Sequence, residues 1–144
     1  MQEAATRVDF YVLNVDDESA RLRFACKLIE KVYKLGHNIY ACAEDADQQG
    51  RFDDLLWNFR DTSFVPHQQQ GSDSAAPVTI GCGEPETDGG DVLVNLGAVA
   101  PAFFDRFERV IEIVDSSETG RQQGRQRWSQ YKAQGLEPET HKID

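Results

Sequence analysis

Two apolar runs, Val8-Asp-Phe-Tyr-Val-Leu-Asn14 and Asn38-Ile-Tyr-Ala-Cys-Ala43, each followed by a helical pattern, decide the fold class. The first is β-branched and aromatic, the composition of a buried strand. Asp16, Asp17 and Ser19 come next and offer side-chain oxygens to cap a helix. Over 19–35, Leu22, Cys26, Ile29 and Tyr33 recur at spacings of four, three and four, with Arg21, Arg23, Lys27, Glu30, Lys31 and Lys34 between them. That spacing draws an amphipathic helix, and Gly36 stands where a left-handed C′ residue is wanted. After the second run, Glu44, Asp45 and Asp47 set carboxylates at the positive end of a helix that continues through Phe52, Leu55 and Leu56 to Trp57. A strand reached through a helix lies parallel to its predecessor, so the expectation is an α/β domain with a mostly parallel sheet and right-handed crossovers.

Beyond this unit, Ser63-Phe-Val65 reads as a short third strand ended by Pro66, and 68–77 reads as a loop. Val78-Thr-Ile-Gly-Cys82 and Asp91-Val-Leu-Val-Asn-Leu96 are strands around the turn-rich 83–90. A short helix is expected over 101–107, a strand over Arg109-Val-Ile-Glu-Ile-Val114, and a last helix over 117–134 with Gly135 as its stop. Past Leu136 the chain turns polar, and 137–144 are expected to fray as a flexible tail. At 144 residues, 1–144 is expected to be one domain.

With 40% hydrophobic and 28% charged residues, the chain reads as a folded soluble protein. No run approaches the roughly 20 apolar residues of a membrane helix. The N-terminal residues carry no basic-then-apolar signal, so a cytoplasmic location without a membrane partner is expected. The net charge of −10 opposes direct contact with nucleic acid. Residues 117–135 read as the one positive island: Arg121, Arg125, Arg127 and Lys132 against Glu118 alone give +3, leaving −13 for the rest.

Cys26, Cys42 and Cys82 are odd in number and too far apart for a Cys-x-x-Cys pair, so each reads as a small buried hydrophobe. His37, His67 and His141 fall at no ligand spacing, and no metal is expected. Asn14-Val-Asp-Asp-Glu18 has no glycine to admit a pyrophosphate and three carboxylates to repel one. Gly81-Cys-Gly83 runs into Pro85 and acidic residues, the makings of a turn, so no cofactor is expected. A Ser-His-Asp grouping can be drawn from Asp61, Ser63 and His67, but Gly-x-Ser-x-Gly is absent, and a turn histidine capping backbone groups is the preferred reading. The rival function that survives is a small α/β hydrolase or nucleotide-processing enzyme using His67 with Asp16 and Asp17.

The last helix is the informative element. Arg121, Arg125, Trp128 and Lys132 stand at i, i+4, i+7 and i+11, so cations and an indole share a stripe, which Tyr131 extends. Gly120 and Gly124 each cost about 1 kcal/mol in a helix relative to Ala, and their missing side chains leave room for a ligand beside the stripe. Two readings stay open on spacing alone: a solvated basic face with Trp128 in the core, or a receptor for an acidic peptide with an apolar anchor; a third, single-stranded nucleic acid on a basic and aromatic surface, is weakened by the overall charge.

Several blocks resemble the chi subunit of bacterial DNA polymerase III holoenzyme. They are Val8-Asp-Phe-Tyr-Val-Leu13, Ala41-Cys-Ala-Glu-Asp45, Asp53-Asp-Leu-Leu-Trp57, Ser63-Phe-Val-Pro-His67, Asp91-Val-Leu-Val-Asn95, Val110-Ile-Glu-Ile-Val114 and Arg125-Gln-Arg-Trp-Ser-Gln-Tyr-Lys132 before Gly135. The resemblance implies a Rossmann-like three-layer domain without a nucleotide-binding loop, and a non-enzymatic accessory role in DNA replication. It also implies two protein partners. One is the psi subunit, which forms a heterodimer with chi and ties it to the clamp loader. The other is the acidic C-terminal tail, ending in Pro-Phe, of single-stranded-DNA-binding protein. By matching position the tail site would use Trp57, Val114, Arg121, Arg125 and Trp128, and psi would meet Phe64, Val65, Pro66 and His67. Three departures are visible: Trp128 stands where tyrosine is expected, Arg121 where lysine is, and Ser129 where another basic residue is. The first two keep the chemistry; Ser129 removes a charge.

Overall fold

The computed structural model describes residues 6–59, 64–71, 76–85 and 91–143. In chain order the elements are β1 (Arg7–Leu13), α1 (Glu18–Lys34), β2 (Ile39–Ala43), α2 (Ala46–Asn58), β3 (His67–Gln69), β4 (Val78–Cys82), β5 (Val92–Asn95), a 3-10 turn (Phe104–Arg106), β6 (Arg109–Val114), α3 (Glu118–Ala133) and β7 (Glu139–Ile143). The helix starts follow from local chemistry. Asp17 accepts from Ala20 N at 2.6 Å, Asp45 from Gln48 N at 2.8 Å and Ser117 from Gly120 N at 2.9 Å. α1 and α3 stop ahead of Gly36 (φ +93°) and Gly135 (φ +85°), the left-handed positions read from sequence.

The strands form one open sheet in the order β3-β4-β2-β5-β6-β1-β7, with every neighbouring pair parallel. β1 and β2 are not neighbours, because β5 and β6 lie between them. Alternation along each strand divides the core in two. Ile39, Ala41, Val92, Val94, Ile111 and Ile113 join α1 and α2 on one face. Tyr40, Cys42, Leu93, Val110 and Val114 join Phe107 and Tyr131 on the other, beneath α3. The result is a Rossmann-like three-layer α/β domain.

Four expectations need correction. The third strand begins after Pro66, not before it: β3 pairs His67 with Val78 and lies partly in the stretch read as a loop, while Phe64 and Val65 precede it without strand pairing. Proline has no N–H for a ladder, so pairing starts beyond it. Ser63 and Asp61 lie outside the described residues. The helix read over 101–107 is a single 3-10 turn.

The polar C-terminus does not fray as a tail. Glu139–Ile143 pairs with β1, Tyr11 opposite His141, on backbone hydrogen bonds that need no apolar side chains at a sheet edge. Cys82 is exposed, although Cys26 and Cys42 are buried as expected, with the Cys26 thiol pushed up to about 12 by burial.

Candidate functional site

β6 carries a glutamate in the middle of an apolar strand, and that residue sets the orientation of α3. Glu112 is fully buried. Arg127 Nε donates to its Oε1 at 2.7 Å, while the Tyr131 hydroxyl and Asn95 Nδ2 donate to Oε2 at 2.6 and 2.9 Å. Burial pushes the Glu112 carboxyl above its usual range, against the pull of Arg127, Tyr131 and Asn95. Tyr131 is likewise raised, by burial and by the adjacent carboxylate. Arg127 and Tyr131, one turn apart, thus tie the inner face of α3 to the sheet.

The helix glycines serve the same packing. A Cβ on Gly124 would stand 2.9 Å from Val114 Cγ2, and one on Gly120 would stand 2.1 Å from Asp115 Oδ1. The space they leave is therefore taken by β6 and the helix cap, not by a ligand. Tyr131 does not extend the surface stripe either, being buried on Glu112.

With those residues turned inward, the outer flank of α3 faces the β1/β7 edge across a groove of about 370 Å³. Phe10 and Val12 of β1, Val114 of β6 and Trp128 give it apolar walls, with the Phe10 and Trp128 rings 5.2 Å apart. Arg121, Arg125 and Lys142 supply three cations, and Gly124 and Thr140 complete the lining. Cations around an apolar floor suit a ligand that carries both carboxylates and an apolar anchor. Val114, Arg121, Arg125 and Trp128 therefore come together from the sequence-derived set. Phe10, Val12, Thr140 and Lys142 were missed, since the pairing of β1 with β6 brings the first two there and that of β7 with β1 the last two.

Trp57 is the exception, and its assignment to this groove is corrected. α2 packs on the opposite face of the sheet, burying Phe52 and Leu56. Trp57, one residue further round the helix, is turned outward and half-exposed. Its ring lies 5.6 Å from Phe64 and 4.4 Å from His67. Phe64 is 66% exposed and so not a core residue, whereas Val65 is buried. The His67 imidazole is turned inward, with Nδ1 2.6 Å from the Val65 carbonyl oxygen and Nε2 3.4 Å from Asp53 Oδ1. The Asp53 carboxyl is raised by burial, against the pull of His67. The outward surface of 64–67 is thus Phe64 with part of Pro66, and Trp57 extends it.

The rival catalytic grouping is not assembled. His67 opens β3 at one edge of the sheet, and Asp16 and Asp17 follow the C-terminal end of β1 towards the other edge. Asp17 is already engaged as the α1 cap. At the C-terminal ends of β5 and β6, where a nucleotide would sit in such a sheet, a crevice of about 110 Å³ holds Glu44, Asp115, Arg21 and Arg127. Asp115, two residues before the α3 cap Ser117, accepts from Ser117 N at 3.0 Å.

Asp9, Glu139 and His141 place donor atoms within 4.8 Å of one another. The buried Asp9 carboxylate is already shared among Arg109 at 2.8 Å, Arg7 at 3.0 Å and His141 at 3.0 Å, so the cluster joins β6, β1 and β7 through polar contacts. Burial would raise the Asp9 carboxyl, but His141, Arg109 and Arg7 hold it below its ordinary 3.8. The reading of one positive island is also corrected. Residues 20–35 hold Arg21, Arg23, Lys27, Lys31 and Lys34 against Glu30 alone, a net +4. α1 therefore presents a second positive face.

Comparison with known proteins agrees with this architecture. The family model described as DNA polymerase III chi subunit, HolC, matches residues 5–139. A Pseudomonas aeruginosa protein named DNA polymerase III subunit chi is 41% identical over 138 residues, 96% of this chain and 97% of the relative. Proteins of the same name from Haemophilus influenzae and Escherichia coli are 26% and 28% identical, covering 96% and 91% of this chain and 99% and 94% of theirs. A family match over nearly the whole length, on a parallel α/β sheet, places this chain in the DNA polymerase III chi subunit family.

Proposed function

We propose that this chain is a non-catalytic adaptor of the replisome. It grips the acidic C-terminal tail of single-stranded-DNA-binding protein in the α3 groove and docks the psi subunit over Trp57 and Phe64, through which it reaches the clamp loader. The observation that carries the tail site is the groove itself: Arg121, Arg125 and Lys142 ring the apolar surface of Val114, Trp128 and Phe10 on a chain whose net charge is −10. The cations meet the tail's carboxylates, and the Trp128 wall receives its terminal phenylalanine. The names of both partners come from the family resemblance. Trp57 joins the psi face because its ring lies tilted against Phe64, on the side of the sheet away from α3. On this reading the protein works in the cytoplasm at replication forks, without a cofactor and without touching nucleic acid itself.

Calorimetric titration of a tail peptide tests the site. Wild type and Trp57→Ala should bind alike, Arg125→Ala and Trp128→Ala should bind far more weakly, and removal of the peptide's phenylalanine should abolish most of the affinity. Equal affinity for wild type and Arg125→Ala would sink the assignment.

A further inference from the structure

A second groove runs along the opposite face of the same sheet edge, between α1 and the ends of β1 and β7. It has a volume of about 360 Å³ and an apolar floor of Leu13, Val15, Phe24 and Ile143, with Arg23 and Lys27 one helical turn apart on its rim. Phe24 is held in place through Tyr11, whose ring lies 5.7 Å from Phe24 and 4.8 Å from His141 of β7. Val15 is 41% exposed.

Among the described residues the rim cations hold no carboxylate. Arg21 turns inward to Leu96 O and Asp115, and Lys34 pairs with Glu30 at 4.0 Å. Arg23 reaches only the Phe59 carbonyl at 3.4 Å, and Lys27 and Lys31 make no ion pair among the described residues. Lys31 continues the row one turn beyond Lys27, away from the groove.

We propose that this α1 groove is a second binding site for an acidic peptide segment with an apolar side chain. Two features select that occupant. The rim is cationic on a chain of net charge −10, which complements carboxylates. The floor is apolar, which a phosphate backbone would leave unused but a leucine or phenylalanine side chain would cover. The proposal stands on α1 and does not need the α3 groove to be occupied.

The experiment is an NMR titration of the full chain with a short oligo-aspartate peptide ending in Pro-Phe, reading the Trp128 indole for the α3 groove and the Phe24, Val15 and Ile143 signals for the α1 groove. In Arg125→Glu the Phe24, Val15 and Ile143 signals should still move in a saturable way. Lys27→Glu should weaken that response by about tenfold or more while leaving the Trp128 response unchanged. No movement at the α1 reporters, or movement unaffected by Lys27→Glu, overturns the proposal. So does a response there to oligothymidylate but not to peptide. Failure of the α3 reading shows separately, as a silent Trp128 indole.

Discussion

The α3 groove and the Trp57–Phe64 face lie on opposite sides of one sheet and are built on opposite plans. The groove's helix is tied down by a buried charge network, Glu112 with Arg127, Tyr131 and Asn95, and its exposed flank carries cations. The other face has ordinary apolar packing beneath it, Phe52, Leu56 and Val65, and shows aromatic rings to solvent. A charged ligand needs its counter-charges held at fixed positions, which a buried network provides at the expense of desolvation. An apolar partner needs only exposed surface in the right shape. On the proposed function, the difference teaches that the same sheet would support one site by rigidity and another by exposure.

The comparison breaks first at the network. Arg127→Ala leaves Glu112 buried without its cation, and should cost about 3–5 kcal/mol in chemical denaturation. It should also weaken tail-peptide binding in whatever fraction stays folded. A loss below about 1 kcal/mol would mean that α3 is held by its apolar contacts alone.

The next effect is on binding rather than folding. Arg125→Ala removes an exposed side chain, so stability should barely move, whereas tail-peptide affinity should fall by about 2–3 kcal/mol in calorimetry. Raising salt should weaken wild-type binding in the same assay while the aromatic wall preserves part of it. An affinity that ignores salt would remove charge from the account of this groove.

On the other face the expected change in stability is smaller still. Phe64→Ala and Trp57→Ala should each alter folding by about 0.5 kcal/mol or less, as exposed residues do, yet should reduce capture of purified psi and leave tail-peptide titrations unchanged. Loss of tail binding in Trp57→Ala would join the two faces and return Trp57 to the tail site.

The finest distinction is pH. β7 walls only the α3 side of this comparison, and it is held to β1 partly by the Asp9–His141 pair. Asp9 is depressed below 3.8 in the folded chain, so its contribution is fully present above that value and is lost as pH falls through the lower, folded one. Acid titration of stability should therefore show a component that Asp9→Asn lacks. A variant with the wild-type acid profile would show that Asp9 does not couple β7 to the fold.

Much of this was legible in the chain because the relevant patterns are local. The capped helices, the glycine stops and the strand 109–114 follow from spacings within one element, and Arg121, Arg125 and Trp128 from one helical face. What was missed depends on which strands become neighbours. β7 has few apolar residues because an edge strand is held by its backbone, so its sequence, Glu-Thr-His-Lys-Ile, looked like a tail. Lys142 was invisible as a groove residue for the same reason, and Phe10 because its strand was legible but its pairing with β6 was not. Trp57 was misplaced because sequence gives the angle of a side chain around its helix but not the sheet face on which the helix lies. One signal was in plain sight: a glutamate at the centre of Arg-Val-Ile-Glu-Ile-Val demands a buried cation, and Arg127 was the inward arginine of the last helix.

The strand order has a consequence for synthesis. Among the described strands β1 is made before the others, yet its two neighbours, β6 and β7, are made after them. The Asp9–His141 bond spans 132 positions of sequence, so β1 keeps both hydrogen-bonding edges open until β6 and β7 have been made. Such distant pairings form slowly, and an open apolar strand invites association with other chains in the interval. A nascent or truncated chain ending before β6 would leave Val8-Asp-Phe-Tyr-Val-Leu13 as a sticky edge, and the chain's carboxylates, through mutual repulsion, are its protection while it waits.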